Sequence, residues 1–211
     1  ILFMPYENLE KTTTSTQSFR KAADEYACRL PSEDIKRSLN YVWINKENFQ
    51  SSDDNLCGVP LKYLDKAIEN AKRYPHTNVT IWLDSQFLDQ SSRYFIASHI
   101  YISGAENIQI ADLQDIPAYK NTEFFNPRSD QFRKLWGRVD LARLLVMKHQ
   151  LDTTDATDVF YSDFDVPDVE IDSREATEKL DRFGLIFGSL IIGSDIENGY
   201  LAIRKNEPFD F

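Results

Sequence analysis

Two carboxylates one residue apart, Asp163 and Asp165, follow the apolar run Val159-Phe160-Tyr161-Ser162, and Val166-Pro167 closes the segment behind them. Read as the end of a buried strand, this spacing puts both aspartates on one face, roughly 7 Å apart by strand rise, with Phe164 turned to the other face and the core. Adjacent carboxylates repel and stay ionised more easily beside a cation. Mg²⁺ and Mn²⁺ are hard ions that prefer oxygen, and Mg²⁺ commonly takes one or two carboxylates and fills its other positions with water and phosphate oxygens. A diphosphate held through such an ion leaves more readily, because the metal neutralises charge as the bond breaks. Strand ends are also where open α/β sheets place their ligands.

D-x-D is a short pattern, and in an acidic chain it also occurs as a solvated turn. The preceding strand and the closing Val166-Pro167 favour a site. An EF-hand loop starting at Asp163 would need Gly at its sixth position and Glu at its twelfth; Asp168 and Arg174 stand there, which excludes it. An aspartyl phosphatase of the haloacid-dehalogenase type also opens with D-x-D after an apolar strand, but normally carries Thr or Val where this chain has Pro167. It stays as an alternative.

A second group lies upstream. Trp136, Asp140 and Arg143 are spaced four and three apart in the strongest helical stretch, Gln131 to Gln150, and so share one face, with Val139, Ala142 and Val146 on an adjacent core face. An exposed Asp140–Arg143 pair would be worth only about 0.2–0.5 kcal/mol. A carboxylate and a guanidinium can instead fix sugar hydroxyls as acceptor and donor, and this helix feeds directly into the acidic strand. Trp43, in the apolar stretch Asn40 to Ile44, is either core or a flat platform for a nucleobase, a stack worth about 1–3 kcal/mol. Trp82 reads as core. His76, His99 and His149 share no metal-ligand spacing, and no G-x-S-x-G, P-loop or G-x-G-x-x-G pattern is present.

The elements that must position these residues alternate in type. Strands are expected at 40–44, 79–83, 108–110, 159–162, 185–192 and 199–204. Helices are expected at 19–30, from Pro60 to Pro75 (with Leu61, Leu64, Ile68 and Ala71 at helical spacing), near 92–98, and at 131–150. Residues 45–58 and 114–130 read as loops, and 151–158 as a polar connection. Interleaved strands and helices predict an α/β domain with a largely parallel or mixed sheet flanked by helices. The expected division is a lead-in and helix over 1–30, followed by one domain over 31–211.

Composition narrows the function. A chain of 211 residues with 42% apolar content can bury a core. A formal charge of −10 argues against a duplex nucleic-acid binder, which needs clustered Lys and Arg. No apolar run approaches the roughly 20 residues of a membrane helix. Cys28 and Cys57 lack metal-ligand spacing and suit a reducing compartment, two unpaired thiols or a disulfide. With no initiator Met and no leader pattern, the chain reads as an ordered fragment.

Taken in order, V-W-I (Val42, Trp43, Ile44), D-x-x-R (Asp140, Arg143) and Y-x-D-x-D (Tyr161, Asp163, Asp165) resemble the GT-A glucosyltransferase domain of the large clostridial toxins. They are also similar to related bacterial effector glycosyltransferases and to the wider DXD sugar transferases, including yeast mannosyltransferases. Val79-Thr80-Ile81-Trp82-Leu83-Asp84 resembles the second strand of that family, and the likeness spans about residues 40–166. It implies a GT-A-like (Rossmann-like) nucleotide-sugar fold.

The same resemblance implies transfer of a hexose, from UDP-glucose foremost, to a hydroxyl of a host protein or a glycan. It implies that Trp43, flanked by Val42 and Ile44, stacks on uracil, and that Asp140 and Arg143 hold the sugar. Asp163 would contact ribose and sugar, and Asp165, with Asp163, would bind Mn²⁺ or Mg²⁺. Tyr161 and Ser162 would support the pocket, and Asn198 would supply a later polar contact. A secreted effector acting in the host cytosol is implied too. Two departures stand out. Thr154-Asp155-Ala156-Thr157-Asp158 replaces the glycine pair usual before the acidic strand. The segment that closes over the donor would begin where this chain stops, at Phe211, which reads as C-terminal truncation. A degenerate, non-catalytic transferase fold serving as an interaction module is the alternative that these departures favour.

Overall fold

The computed structural model describes residues 36–45, 54–122, 131–187, 191–192, 195–196 and 199–205. Contacts divide the chain after Ile35, and all of these residues lie in the second unit. The helix expected over 19–30 and the lead-in, together with Cys28, fall outside the described residues.

A six-stranded sheet carries the fold. Its order is β5 (Ile108–Asp112), β4 (Thr77–Leu83), β1 (Arg37–Trp43), β6 (Asp158–Ser162), β10 (Tyr200–Arg204), β7 (Leu185–Phe187). The first four run parallel, and β10 runs antiparallel to both β6 and β7. The mixed α/β sheet expected from the alternation of elements is therefore present. Its central strands β1 and β4 are buried on both faces along nearly their whole length, so even their polar members Ser38, Asn40 and Thr80 lie inside.

Side-chain alternation along β1 divides the core in two. Leu39 and Tyr41 face a cluster built with Leu64, Ala67, Ile68 and Ala71 of α1 (Leu61–Arg73), and with Ile96 and Ile100 of α2 (Gln90–Ile102). Val42 faces the opposite cluster, where Ala142, Val146, Met147 and Leu151 of a long helix pack. That helix runs Gln131–Thr153. Between it and β5 lie a 3₁₀ turn, Leu113–Asp115, and the short α3, Pro117–Lys120, and the long helix is therefore α4. Each fully buried Leu or Ile in these layers contributes about 1.5–3 kcal/mol of transfer free energy.

Some elements differ from expectation. The end of the 45–58 stretch and the two residues after it form a minimal hairpin, β2 (Asn55–Leu56) with β3 (Val59–Pro60). Within 114–130, the 3₁₀ turn and α3 replace part of the expected loop. The apolar run 185–192 is not one strand: β7 ends at Phe187, and Ile191–Ile192 (β8) pairs with Asp195–Ile196 (β9) in a separate hairpin. A helix not anticipated, α5 (Arg174–Phe183), has signals readable in retrospect. Ser173 caps it by accepting from the Ala176 N–H at 3.2 Å, and Gly184 ends it at φ 68. No helix among the described residues is long and apolar enough to cross a membrane.

Topology locates the site. From β1 the chain crosses through α1 to β4 on one side, whereas β6 flanks β1 on the other. The strand order therefore reverses between β1 and β6, and ligands of open α/β sheets bind outside the carboxyl ends of strands at such a point. Trp43 ends β1 and Asp163 follows β6.

Candidate functional site

β6 ends at Ser162, so Asp163 and Asp165 lie beyond the strand in a turn closed by the Val166 N–H donating to the Asp163 carbonyl at 3.3 Å. The same-face, 7 Å geometry read from strand alternation therefore does not apply, because the extended backbone has already stopped. Asp163 stays in line with the sheet nonetheless: its N–H donates to the Gly199 carbonyl at 2.6 Å, one step beyond the β6–β10 register. The buried Ser162 hydroxyl donates to the Asp163 carbonyl at 2.9 Å. Gly199 also lies close to the carboxylate. A Cβ there would come within 3.1 Å of Asp163 Oδ2, so any larger residue would push on the acid.

The Asp163 side chain is 33% exposed, and Asp165 is exposed. Phe164 points inward as expected, 6% exposed, stacked on Tyr41 with centroids 4.7 Å apart. The Tyr161 hydroxyl donates to Asp163 Oδ1. Arg143 from α4 reaches Asp163 Oδ2 at 3.8 Å, holds Asp140 in an ion pair, and lays its guanidinium 5.2 Å from the Tyr161 ring centre. The arginine side chain is only 5% exposed, whereas that of Asp140 is 52% exposed. The pair is therefore not a surface one: α4 carries a buried cation into the acidic turn, as its order along the chain suggested. Trp136, expected on the same helix face, is 53% exposed.

Burial pushes the Asp163 carboxyl above its ordinary range, and the neighbouring Asp165 and Asp140 charges push the same way; the Tyr161 hydrogen bond and Arg143 oppose this. Two carboxylates, Asp140 and Asp163, thus share one buried guanidinium, and Asp165 adds a third negative charge beside Asp163. Asp163 and Asp165, both oxygen donors and the second exposed, are the residues that could hold a hard divalent cation of the Mg²⁺ or Mn²⁺ kind, which takes one or two carboxylates and completes its shell with phosphate and water. Among the described residues no cluster of three or more His, Cys, Asp or Glu side chains is arranged to hold a metal alone, so phosphate oxygens would have to complete such a site.

Trp43 sits at the other half of the switch point. Its ring is half-buried, 5.6 Å from Tyr63 of α1 and edge-on to Phe164 at 6.2 Å. Tyr63 in turn stacks on Phe164 at 5.5 Å. One aromatic side chain of the acidic motif therefore touches the tryptophan directly. Val42 and Ile44 are 5% exposed with side chains in the α4-facing core, leaving only their backbone to serve a ligand. Trp82 is buried, as read, its Nε1–H donating to Asn40 at 3.0 Å. Asn198 lies outside the described residues.

Several positioning groups had no signal in the sequence. The segment after the turn is tied down at three carbonyls: Pro167 accepts from Lys66 Nζ at 2.6 Å, Val169 from the Tyr74 hydroxyl, and Glu170 from the Tyr200 hydroxyl at 2.8 Å. Asp84, directly after β4, is fully buried and accepts from Tyr119 (2.7 Å), Gln114 (2.9 Å) and the Gln86 N–H (3.0 Å), with Arg138 of α4 3.8 Å away. α4 therefore sends one arginine to the aspartate after β4 and another to the aspartate after β6.

No family model and no curated protein matches the chain. Solved structures do match, among them "PaToxG Glycosyltransferase", at 20% identity and a TM-score of 0.38 over 72% of this chain. The match takes in 50% of that chain's length.

Proposed function

We propose that this chain is the nucleotide-sugar half of a GT-A-type glycosyltransferase, moving a hexose from a UDP-sugar to an acceptor hydroxyl. The observation that carries the reading is convergence at the β1/β6 switch point. Trp43 ends one strand, Asp163 and Asp165 follow the other, and Arg143 with Asp140 enters from α4. Three stretches spaced far apart in the chain thus supply a flat ring, a donor–acceptor pair and an acidic turn on one edge of the sheet.

Each group has a role its surroundings favour. Trp43 offers its half-buried ring to the base. Asp140, exposed and oriented by Arg143, accepts from sugar hydroxyls. Arg143, dry and already paired, donates and keeps the sugar beside the acidic turn. Asp163, held by Tyr161, presents its remaining lone pairs towards ribose and cation, and Asp165 is free in solvent to serve as a metal oxygen donor. Bound there, Mn²⁺ or Mg²⁺ would neutralise charge on the departing diphosphate. UDP-glucose as donor, a host protein as acceptor and delivery to the host cytosol are the parts that rest on motif resemblance alone. The engagement of Asp163 by Tyr161 and Arg143 weighs against the phosphatase alternative, in which that carboxylate would have to attack phosphorus.

The test is UDP release from UDP-glucose in the presence of Mn²⁺. Asp163→Asn/Asp165→Asn should lower the rate by at least about 100-fold, in the range seen when groups aimed at developing charge are removed. Equal turnover by the double variant and the parent chain would reject the reading.

A further inference from the structure

Trp43 does not set its own tilt. Its Nε1–H donates to Asn45 Oδ1 at 2.6 Å. Asn45 is 4% exposed, and its amide donates to the Cys57 carbonyl at 2.9 Å. Cys57 and Gly58 form the turn between β2 and β3, with φ of 50° and 89°. Gly58 lies so close to Asn45 that a Cβ would fall 2.5 Å from its amide nitrogen. The Asn45 side chain is therefore clamped: an acceptor faces the indole, a donor faces the hairpin turn, and the glycine leaves no slack behind it.

We infer that Asn45 is a positioning residue for the nucleobase platform, holding the indole of Trp43 in the plane that a pyrimidine stacks on. The inference rests on the reading of Trp43 as that platform. Stacking depends on the orientation of the ring face, and a ring held only by its tilted contact with Tyr63 and its edge-on contact with Phe164 can rock about χ2. A hydrogen bond from a buried amide to the ring N–H removes that freedom before the nucleotide arrives, so less ordering is left to occur on binding. The hairpin enters the argument only through its turn. It is the part of the chain that holds Asn45, and it lies twelve residues away in sequence.

The experiment uses the whole chain, ¹⁵N-labelled, with UDP and Mn²⁺ as the probe. Trp43→Phe assigns the Trp43 indole resonance. In Asn45→Ala that resonance should shift upfield and exchange faster with solvent, and UDP should bind about 5- to 20-fold more weakly by calorimetry, the range expected for losing one hydrogen bond together with part of a stack. In turnover, the KM for the donor should rise by a similar factor while kcat falls less than threefold. Gly58→Ala pushes on Asn45 from the opposite side and should reproduce both the spectral shift and the weaker binding, which guards against a local defect peculiar to one variant. UDP affinity within twofold of the parent in both variants overturns the inference and leaves the proposed function standing. Failure of the parent chain itself to bind UDP overturns both.

Discussion

Asp163 carries the main tension of the molecule at the level of single residues. Its folded-state carboxyl titrates above its ordinary value because burial, Asp165 and Asp140 outweigh the help of Tyr161 and Arg143. A raised value means the contribution of this group to stability is fully present below the unfolded value of 3.8 and is lost as pH rises through the folded one. At neutral pH the ionised group is therefore a burden on the fold. Asp163→Asn should raise the melting temperature at pH 7 and abolish transfer. The gain should vanish as the pH falls below about 4, as scanning fluorimetry across pH would show. The residues of the proposed site were legible as candidates: two aspartates after an apolar run, and an aspartate and arginine one helical turn apart. Gly199 and Asn45 were not, because each acts through a contact 36 or two positions away that depends on where the folded backbone passes, and neither residue type signals such a role by itself.

Elements show how the site is held rather than what it does. Three side chains from α1, from the residue just beyond it and from β10 satisfy the carbonyls of Pro167, Val169 and Glu170, so the stretch that follows the acidic turn is fixed although it belongs to neither strand nor helix. Tyr74 is the buried member, and Val169 is 1% exposed. Tyr74→Phe leaves that carbonyl unmatched, at a cost of about 1–3 kcal/mol. Urea unfolding should register the loss, and amide exchange over 163–172 should quicken more than exchange in β4. The long helix could be read from pattern because its core face imposes a helical period, and the central strands because short runs rich in aromatic and β-branched residues stand between polar stretches. α5 escaped that reading although Ser173 and Gly184 mark its ends, and the β8–β9 hairpin escaped because the apolar residues on either side of Gly188-Ser189 read as one strand.

Across the whole molecule, the two ends of the sheet do different work. At the carboxyl end of the parallel strands lie the acidic turn, Trp43 and Asp84. At the opposite end Asp158, 1% exposed, accepts from Arg204 Nε at 2.7 Å and Nη2 at 2.8 Å, and the third nitrogen of Arg204, Nη1, pairs with Asp181. Breaking a buried pair from one side leaves a charge unmatched and costs about 3–5 kcal/mol. Arg204→Met should accordingly lower unfolding stability by that amount while the folded protein, assayed at low temperature, keeps its affinity for UDP and Mn²⁺ within twofold. The fold class was readable from the alternation of elements. The position of the site was not, since it depends on strand order, and no local pattern states that β6 lies beside β1 rather than beside β5.

Phe164 belongs at once to the acidic turn and to the aromatic group of Tyr41, Tyr63 and Trp43. Under the proposed function, a ring wedged between the tryptophan platform and the acidic turn would act as a shared gauge block: it would fix the spacing between base and diphosphate, so that a shift of either neighbour is felt by the other. Cation and nucleotide would then be linked ligands. Whatever factor Mn²⁺ adds to the affinity for UDP, UDP must add to the affinity for Mn²⁺, and trimming Phe164 to Leu should shrink that common factor in both titrations by the same amount.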